Sequence, residues 1–210
     1  MPEIAAIILA GGQSRRMGRS KADLPMGSES LLQRAVRLLS PVTSPVIISA
    51  APDQIVPNLP ADVVISRDTE AGWGPLHGFV TGLRAVPKRT ELAYLSAVDA
   101  PFFSPAWLEL LASRIGDQEA VAGIVDGRPS PIAALYRCSP VRAAAEELLA
   151  AGTRRLSAVL SAVRCKLIPE HELRHVDPTL STILNLNTPG EYHQACQRLE
   201  TGLANPSKRE

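Results

Sequence analysis

A three-layer α/β fold with a mostly parallel central sheet is what this sequence predicts, and three observations carry the prediction. Short runs of continuously apolar residues recur along the chain, a pattern expected of strands buried on both faces. Longer stretches with apolar residues at helical spacing separate those runs. Serine at helix starts, and proline and glycine at the termini, punctuate the alternation. The resulting βαβ rhythm implies helices on both faces of the sheet and a ligand site at the carboxyl ends of its strands.

Taken in order, the predicted strands of the first half are "IAAIILA" (4–10), "PVIISAA" (45–51), "DVVIS" (62–66), "LAYLSAV" (92–98) and "AVAGIV" (120–125). Between them "SLLQRAVRLLSPV" (30–42), "LHGFVTGLRAV" (76–86) and "SPAWLELLASRI" (104–115) read as helices, two of them opening on a capping serine. The second half adds a strand at "SPIAALYR" (130–137), a helix at "SPVRAAAEELLAAG" (139–152) closed by Gly152, and a helix at "RRLSAVLSAV" (154–163). A strand at "RCKLIPE" (164–170) and a helix at "TPGEYHQACQRLETG" (188–202), with Pro189 at its first position, complete the pattern. The expected organisation is one domain over 1–202, with halves of about 1–103 and 104–202, followed by a polar tail at 203–210.

Composition excludes several function classes. The 22 basic and 21 acidic residues leave a formal net charge of +1, so no global field attracts nucleic acid or an anionic membrane, and any anion site has to be built locally. The opening "MPEIAAIILAGG" is too short to span a bilayer and carries Glu3 where a secretory leader would be basic, so a cytoplasmic chain is expected. Cys138, Cys165 and Cys196 are widely separated and lack metal-ligand spacing, which predicts three reduced cysteines.

The local anion site is "LAGGQSRRMGRSK" (9–21). A buried strand ending in Ala10, Gly11 and Gly12 brings backbone close to a ligand with its N–H groups turned inward, and Arg16 and Lys21 add charge, a combination suited to polyphosphate. Neither GxGxxG nor a Walker sequence is present. On spacing alone a tight turn with a solvated basic face remains an equal reading.

Leu9, Ala10, Gly11, Gly12, Ser14, Arg16, Met17, Gly18 and Lys21 match the pattern LAGGxSxRMGxxK, which resembles the signature of the MobA-like nucleotidyltransferases that attach a nucleotide to molybdopterin, above all the molybdenum cofactor guanylyltransferases. In the same order, "RDTEAGWGPLHGFVTGL" (67–83), "VDAPFF" (98–103) and "NLNTPGEY" (185–192) resemble that family's Asp with GPL-G segment, its DxP metal motif and its NxNTP motif. The segments "DGRPSPIAALYR" and "AAGTRRLSAVL" resemble those on the molybdopterin side of the cleft.

The resemblance implies a Rossmann-like fold of the nucleotide-diphospho-sugar transferase type, and transfer of GMP from GTP to the phosphate of molybdopterin with Mg²⁺. It implies that Leu9, Ala10, Gly11 and Gly12 contact the nucleotide while Arg16 and Lys21 neutralise phosphate charge. It further implies that Asp99 holds the metal, and that Asp68 and Gly74 lie near base or ribose. Asn187 helps place the metal or phosphates, or else caps the helix after it; with Arg154 and Arg155 it is also a candidate for the acceptor side. Other proteins of molybdenum cofactor synthesis, and molybdoenzymes, are the partners such an enzyme would have. His77, His171, His175 and His193 show no pairing partner and read as structural or surface groups, and Trp73 reads as a loop residue packed on the core, with stacking on a ligand ring as the alternative.

Two residues depart from the pattern: Ser20 stands where Asp is usual, and Asp23 interrupts an apolar pair. Cytidylyltransferases of the same family usually read AAG where this chain has Ala10, Gly11 and Gly12, and a missing β-carbon at position 11 predicts room for a purine. Relatives with the same nucleotide site load sugar, polyol or phospholactate acceptors, so the acceptor stays open on the motifs alone. A nucleotide-binding module without transfer is a function of another class, and the presence of Lys21 and Asp99 argues against it.

Overall fold

The computed structural model describes residues 3–11, 20–69 and 72–201. Its main sheet is built on β1 (Ile4–Leu9), β4 (Val46–Ala50), β5 (Val64–Arg67), β6 (Leu92–Ala97), β7 (Ala120–Val125), β9 (Ala134–Arg137) and β10 (Cys165–Ile168), in the spatial order β10-β7-β9-β6-β1-β4-β5. The short β8 (Arg128–Pro129) pairs with β7, and β2 (Pro25–Met26) with β3 (Glu29–Ser30) forms a separate hairpin. Neighbouring strands are parallel except where β9 runs against β6 and β7, and β8 against β7. The predicted mixed, mostly parallel sheet is therefore present.

Why the strands read as continuous apolar runs is visible in β1. Ile4, Ala6 and Ile8 face a core shared with Leu31 and Leu32 of α1 (Leu31–Leu39), Trp107 of α3 (Pro105–Arg114), Leu173 of α6 (Glu170–Val176) and Ala195 of α7 (Pro189–Glu200). Ala5 and Ile7 point the other way, into a second core with Phe79 and Leu83 of α2 (Pro75–Ala85), Val141 of α4 (Cys138–Ala150) and Val159 of α5 (Ala158–Ala162). Two-residue periodicity thus supplies one core to each face.

Most helix termini follow the sequence signals, and the exceptions are local. Ser30 caps α1 through a reciprocal capping box with Gln33, whereas Ser104 stands at the N-cap of α3 without a side-chain bond. The α4 helix is closed where Gly152 and Thr153 donate to the carbonyls of Leu149 and Leu148. The helix expected over 154–163 is confined to Ala158–Ala162, and Arg154 and Arg155 lie in the connection between Gly152 and that helix. The strand expected over 130–137 begins only at Ala134. The α6 helix has no counterpart in the sequence pattern: of its seven residues only Leu173 is buried, too few to print a period.

Asp23 causes no disruption. Ala22, Leu24 and Met26 are buried while Asp23 and Pro25 point outward, so the acidic side chain falls on the solvent side of an alternating segment. The three cysteines are unpaired, and burial raises the thiols of Cys138 and Cys165 to about 11, which makes both poor nucleophiles at neutral pH.

Candidate active site

The strand order reverses direction around β1: the chain runs from β1 out to β4 and β5 on one side, then returns to β6 on the other. Such a switch point leaves a crevice beyond the carboxyl ends of the strands, because the connections on the two sides diverge. A cavity of about 340 Å³ lies there, walled by Leu9, Ala10 and Gly11 after β1, by Ala97, Val98 and Asp99 after β6, and by Lys21, Pro75, Ile132, Asn185 and Asn187.

Six of the expected residues line this cavity, and the polar side chains of three of them meet there. Lys21 Nζ donates to Asp99 Oδ2 at 2.6 Å and to Asn187 Oδ1 at 3.3 Å, and the Lys21 and Asp99 side chains are each 19% exposed. They come from positions 78 and 166 residues apart in the chain. Lys21 stands at the start of a short 3₁₀ turn (Lys21–Asp23) rather than on an α-helix. Asp99 does not cap α3, since Ser104 occupies that position.

The geometry of each partner is fixed from behind. The Leu186 N–H donates to Asp99 O at 2.9 Å, tying the NLN segment to the β6 loop. Asn187 is not the cap of α7: Thr188 is, in a capping box with Glu191, whose Oε2 also accepts from the Asn187 N–H at 2.7 Å. Those backbone donors hold the Glu191 carboxyl below its usual range, the Asn187 amide being the largest influence. With Thr188 doing the capping, the Asn187 side chain is left to Lys21. Buried Arg34 donates through Nε to Pro101 O at 2.8 Å, and the Phe102 ring centroid lies 5.8 Å from the Arg34 guanidinium and 5.1 Å from that of Arg198. The loop carrying Asp99 is therefore clamped on its far side by a residue that sequence reading passed over.

The end of β1 differs in one respect from expectation. The N–H groups of Ala10 and Gly11 both donate to Ser49 O, at 2.9 and 3.3 Å, so these amides are spent on β4 rather than offered to a ligand. A β-carbon on Gly11 would stand in ordinary contact with the Ala51 nitrogen at 3.5 Å and Asp68 Oδ2 at 3.9 Å. Its absence opens space beside Asp68. Gly12, Ser14, Arg16, Met17 and Gly18 lie outside the described residues.

Asp68 follows β5 and sits one step behind the cavity wall. Its Oδ1 is 3.3 Å from His77 Nδ1, which gives His77 the partner that the sequence did not show. Gly74, with φ of 84°, takes a backbone conformation that side chains disfavour, and a β-carbon there would come within 3.1 Å of Arg154 O. Trp73 is not packed in the core: it is 38% exposed and the Arg154 guanidinium lies 5.2 Å from its ring centroid.

The two arginines are separated by the structure. Arg154 stands over Trp73 at the rim near α2, whereas Arg155 lines a second cavity of about 470 Å³ with Pro129, Leu160, Cys165 and Leu167. Asn185 and Pro75, which sequence reading did not single out, wall the first cavity. The alternation Asn185–Leu186–Asn187, with Leu186 fully buried, was the signal that both asparagines share one side.

Among the described residues no group of three or more His, Cys, Asp or Glu side chains forms a metal cage. Asp99 and Asn187 nonetheless supply two hard oxygens side by side around Lys21 Nζ, which suits a cation that takes its remaining ligands from phosphate and water.

A family model described as MobA-like NTP transferase domain matches residues 6–167. The chain is 36% identical over 198 residues to a probable molybdenum cofactor guanylyltransferase of Mycobacterium tuberculosis, covering 92% of this chain and 94% of that one. It is 37% identical over 195 residues to a protein of the same description from Chloroflexus aggregans, covering 90% and 91%. The fold is that of the molybdopterin-guanine dinucleotide biosynthesis protein A of Archaeoglobus fulgidus, with a TM-score of 0.78, 22% identity, and coverage of 94% of this chain and 99% of that one.

Proposed function

This chain belongs to the MobA-like NTP transferase family, and on that premise we propose that it transfers GMP from GTP to the phosphate of molybdopterin, forming molybdopterin guanine dinucleotide and pyrophosphate in molybdenum cofactor biosynthesis. The observation that carries the reading is the meeting of Lys21, Asp99 and Asn187 at the strand-order switch, in a cavity walled by the end of β1.

A phosphate oxygen of molybdopterin attacks the α-phosphorus of GTP, the new P–O bond forms as the bond to the β-phosphate oxygen breaks, and the electron pair leaves with pyrophosphate. The nucleophile is already ionised near neutrality, so no general base is needed. Lys21 would exchange its bond to Asp99 for the triphosphate, placing a compact charge where negative charge develops. That exchange releases the Asp99 carboxylate, which with Asn187 would hold a divalent metal, here proposed as Mg²⁺. The metal, when bound, screens the repulsion between two anionic substrates. Arg16 is assigned to the phosphates, Arg154 to the acceptor side, and Leu9, Ala10, Gly11 and Gly12 to the nucleoside end, of which Leu9, Ala10 and Gly11 wall the cavity; Gly74 lets α2 begin beside it.

We take the cytoplasm as the compartment; among the described residues no helix is long and apolar enough to cross a membrane. Other proteins of cofactor synthesis are the proposed donors of molybdopterin and receivers of the product.

The test is pyrophosphate release with Mg²⁺ and molybdopterin, supplied with GTP or CTP, for the wild type and Asp99→Ala. Release with GTP, reduced about a thousandfold in Asp99→Ala, is expected. Release with CTP alone would move the protein to cytidylyl transfer, and nucleotide binding without release to the non-catalytic module.

A further inference from the structure

We infer that His77 is a positioning residue for nucleotide recognition: its Nδ1 holds one oxygen of Asp68 so that the other is aimed at a hydrogen-bond donor of the bound nucleotide. The inference rests on the proposed reading of the cleft as a nucleotide site.

Asp68 is anchored through its backbone, whose N–H donates to Ala50 O at 2.9 Å at the end of the β4–β5 ladder. Its side chain and that of His77 are 14% and 15% exposed, and the two facing atoms, Asp68 Oδ1 and His77 Nδ1, are shut off from solvent. At 3.3 Å they are close enough to bond but not aligned to do so, and neither atom has another hydrogen-bond partner among the described residues. A buried carboxylate oxygen and a buried ring nitrogen left unpaired are each costly, so a small rotation that closes this charge-assisted bond is strongly favoured. The two groups have one use for each other.

The other oxygen faces a slot. Asp68 Oδ2 is 3.9 Å from where a β-carbon on Gly11 would stand, and the same distance from one on Gly78, so glycines on the β1 loop and on the first turn of α2 flank it. Gly78 is required there for a second reason, because its β-carbon would come within 3.0 Å of Ser49 Oγ. The Gly11 side of this slot belongs to the cavity wall. A carboxylate tethered at one oxygen presents the second at a fixed angle, whereas an untethered one rotates and loses that aim. A fixed carboxylate oxygen selects an N–H or O–H donor, which in GTP means the Watson–Crick edge of guanine, where N1–H stands beside the 2-amino group, or a ribose hydroxyl. His77 is itself backed by Trp73, ring centroids 6.1 Å apart, and Trp73 by Arg154. His77 fills the position that the GPL-G pattern leaves open, so its role belongs to this chain rather than to the pattern.

Calorimetric titration of GTP with Mg²⁺ into the full chain tests this, using wild type, His77→Ala, His77→Asn, Asp68→Asn and the double variant His77→Ala with Asp68→Asn. His77→Ala weakens binding about tenfold, the size of one charge-assisted hydrogen bond. In the Asp68→Asn background the same substitution adds less than about twofold, because its effect passes through Asp68. His77→Asn, whose amide nitrogen falls near the place of Nδ1, regains most of the loss. Inosine triphosphate and 2′,3′-dideoxy-GTP identify the donor: the wild type binds one of them more weakly than GTP, and Asp68→Asn loses that discrimination. An undiminished affinity in His77→Ala, a full tenfold loss in the Asp68→Asn background, or equal discrimination by wild type and Asp68→Asn would overturn the inference while leaving GTP binding intact. A wild type that binds no GTP would instead overturn the nucleotide reading, and this inference with it.

Discussion

On one flank of the central sheet β6, β1, β4 and β5 run parallel and end together, so that Asp99, the Ala10–Gly11 turn, Ala51 and Asp68 emerge along a single edge. On the other flank β9 runs the opposite way between β6 and β7, and the residues gathered around the second cavity, Arg155, Cys165 and Leu167 among them, bring one cation and no acid together. The two cavities enclose comparable hollow space, but among the described residues only the first is lined by opposed charges and an amide within bonding distance of one another. The difference teaches that strand direction, more than cavity size, decides where chemistry collects: parallel strands deliver their following residues to one place, and a reversed strand delivers them to the far edge.

The sharpest way to break this comparison is Lys21→Ala. If charge convergence on the parallel flank is what the enzyme uses, the substitution lowers kcat/KM by about 10² to 10³, read as pyrophosphate release, while thermal stability changes little. A loss under tenfold would remove the distinction between the flanks.

A smaller effect is expected from Gly82→Ala on the same flank. A β-carbon there would lie 2.4 Å from Ile7 Cγ2, so α2 must move away from β1. Overpacking of this kind costs about 1–3 kcal/mol. For a domain of this size that corresponds to a fall in Tm of roughly 2–12 °C by calorimetry. An unchanged Tm would show that α2 is held less tightly than its contact with β1 implies.

The smallest effect separates the adjacent arginines. Arg154→Ala is expected to raise the KM for molybdopterin several-fold more than Arg155→Ala, because Arg154 stands at the rim over Trp73 and Arg155 faces the second cavity. The reverse order would assign the acceptor to the second flank.

Much of the fold was legible because burial on both faces leaves β1, β4, β6 and β7 almost wholly apolar, with Ser49 and Ser96 as the buried polar exceptions. The runs around β1, β4, β6 and β7 were recognisable within a residue or so of their observed ends. The misses have physical reasons. Segment 154–163 carries helix-forming residues, but its first part packs beside Gly74 outside any helix, and α6 buries one side chain, so neither shows its state through periodicity. In the site, Lys21 and Asp99 were legible as motif residues. The role of Arg34, buried on α1 and bonded to Pro101 O, was not, because a basic residue on an amphipathic helix ordinarily faces solvent.

By itself the sequence determined the strand and helix alternation, the capping of α1, and which residues end the strands of the parallel flank. Those are local properties, set by side-chain period, backbone freedom and the need to satisfy terminal amides. Only the tertiary structure decided that Lys21, Asp99 and Asn187 share one cluster, that the amides of Ala10 and Gly11 are spent on Ser49, and that His77 faces Asp68. These pairings depend on strand order and on the register of elements far apart in the chain, and no local preference of residue 77 or 187 carries that information.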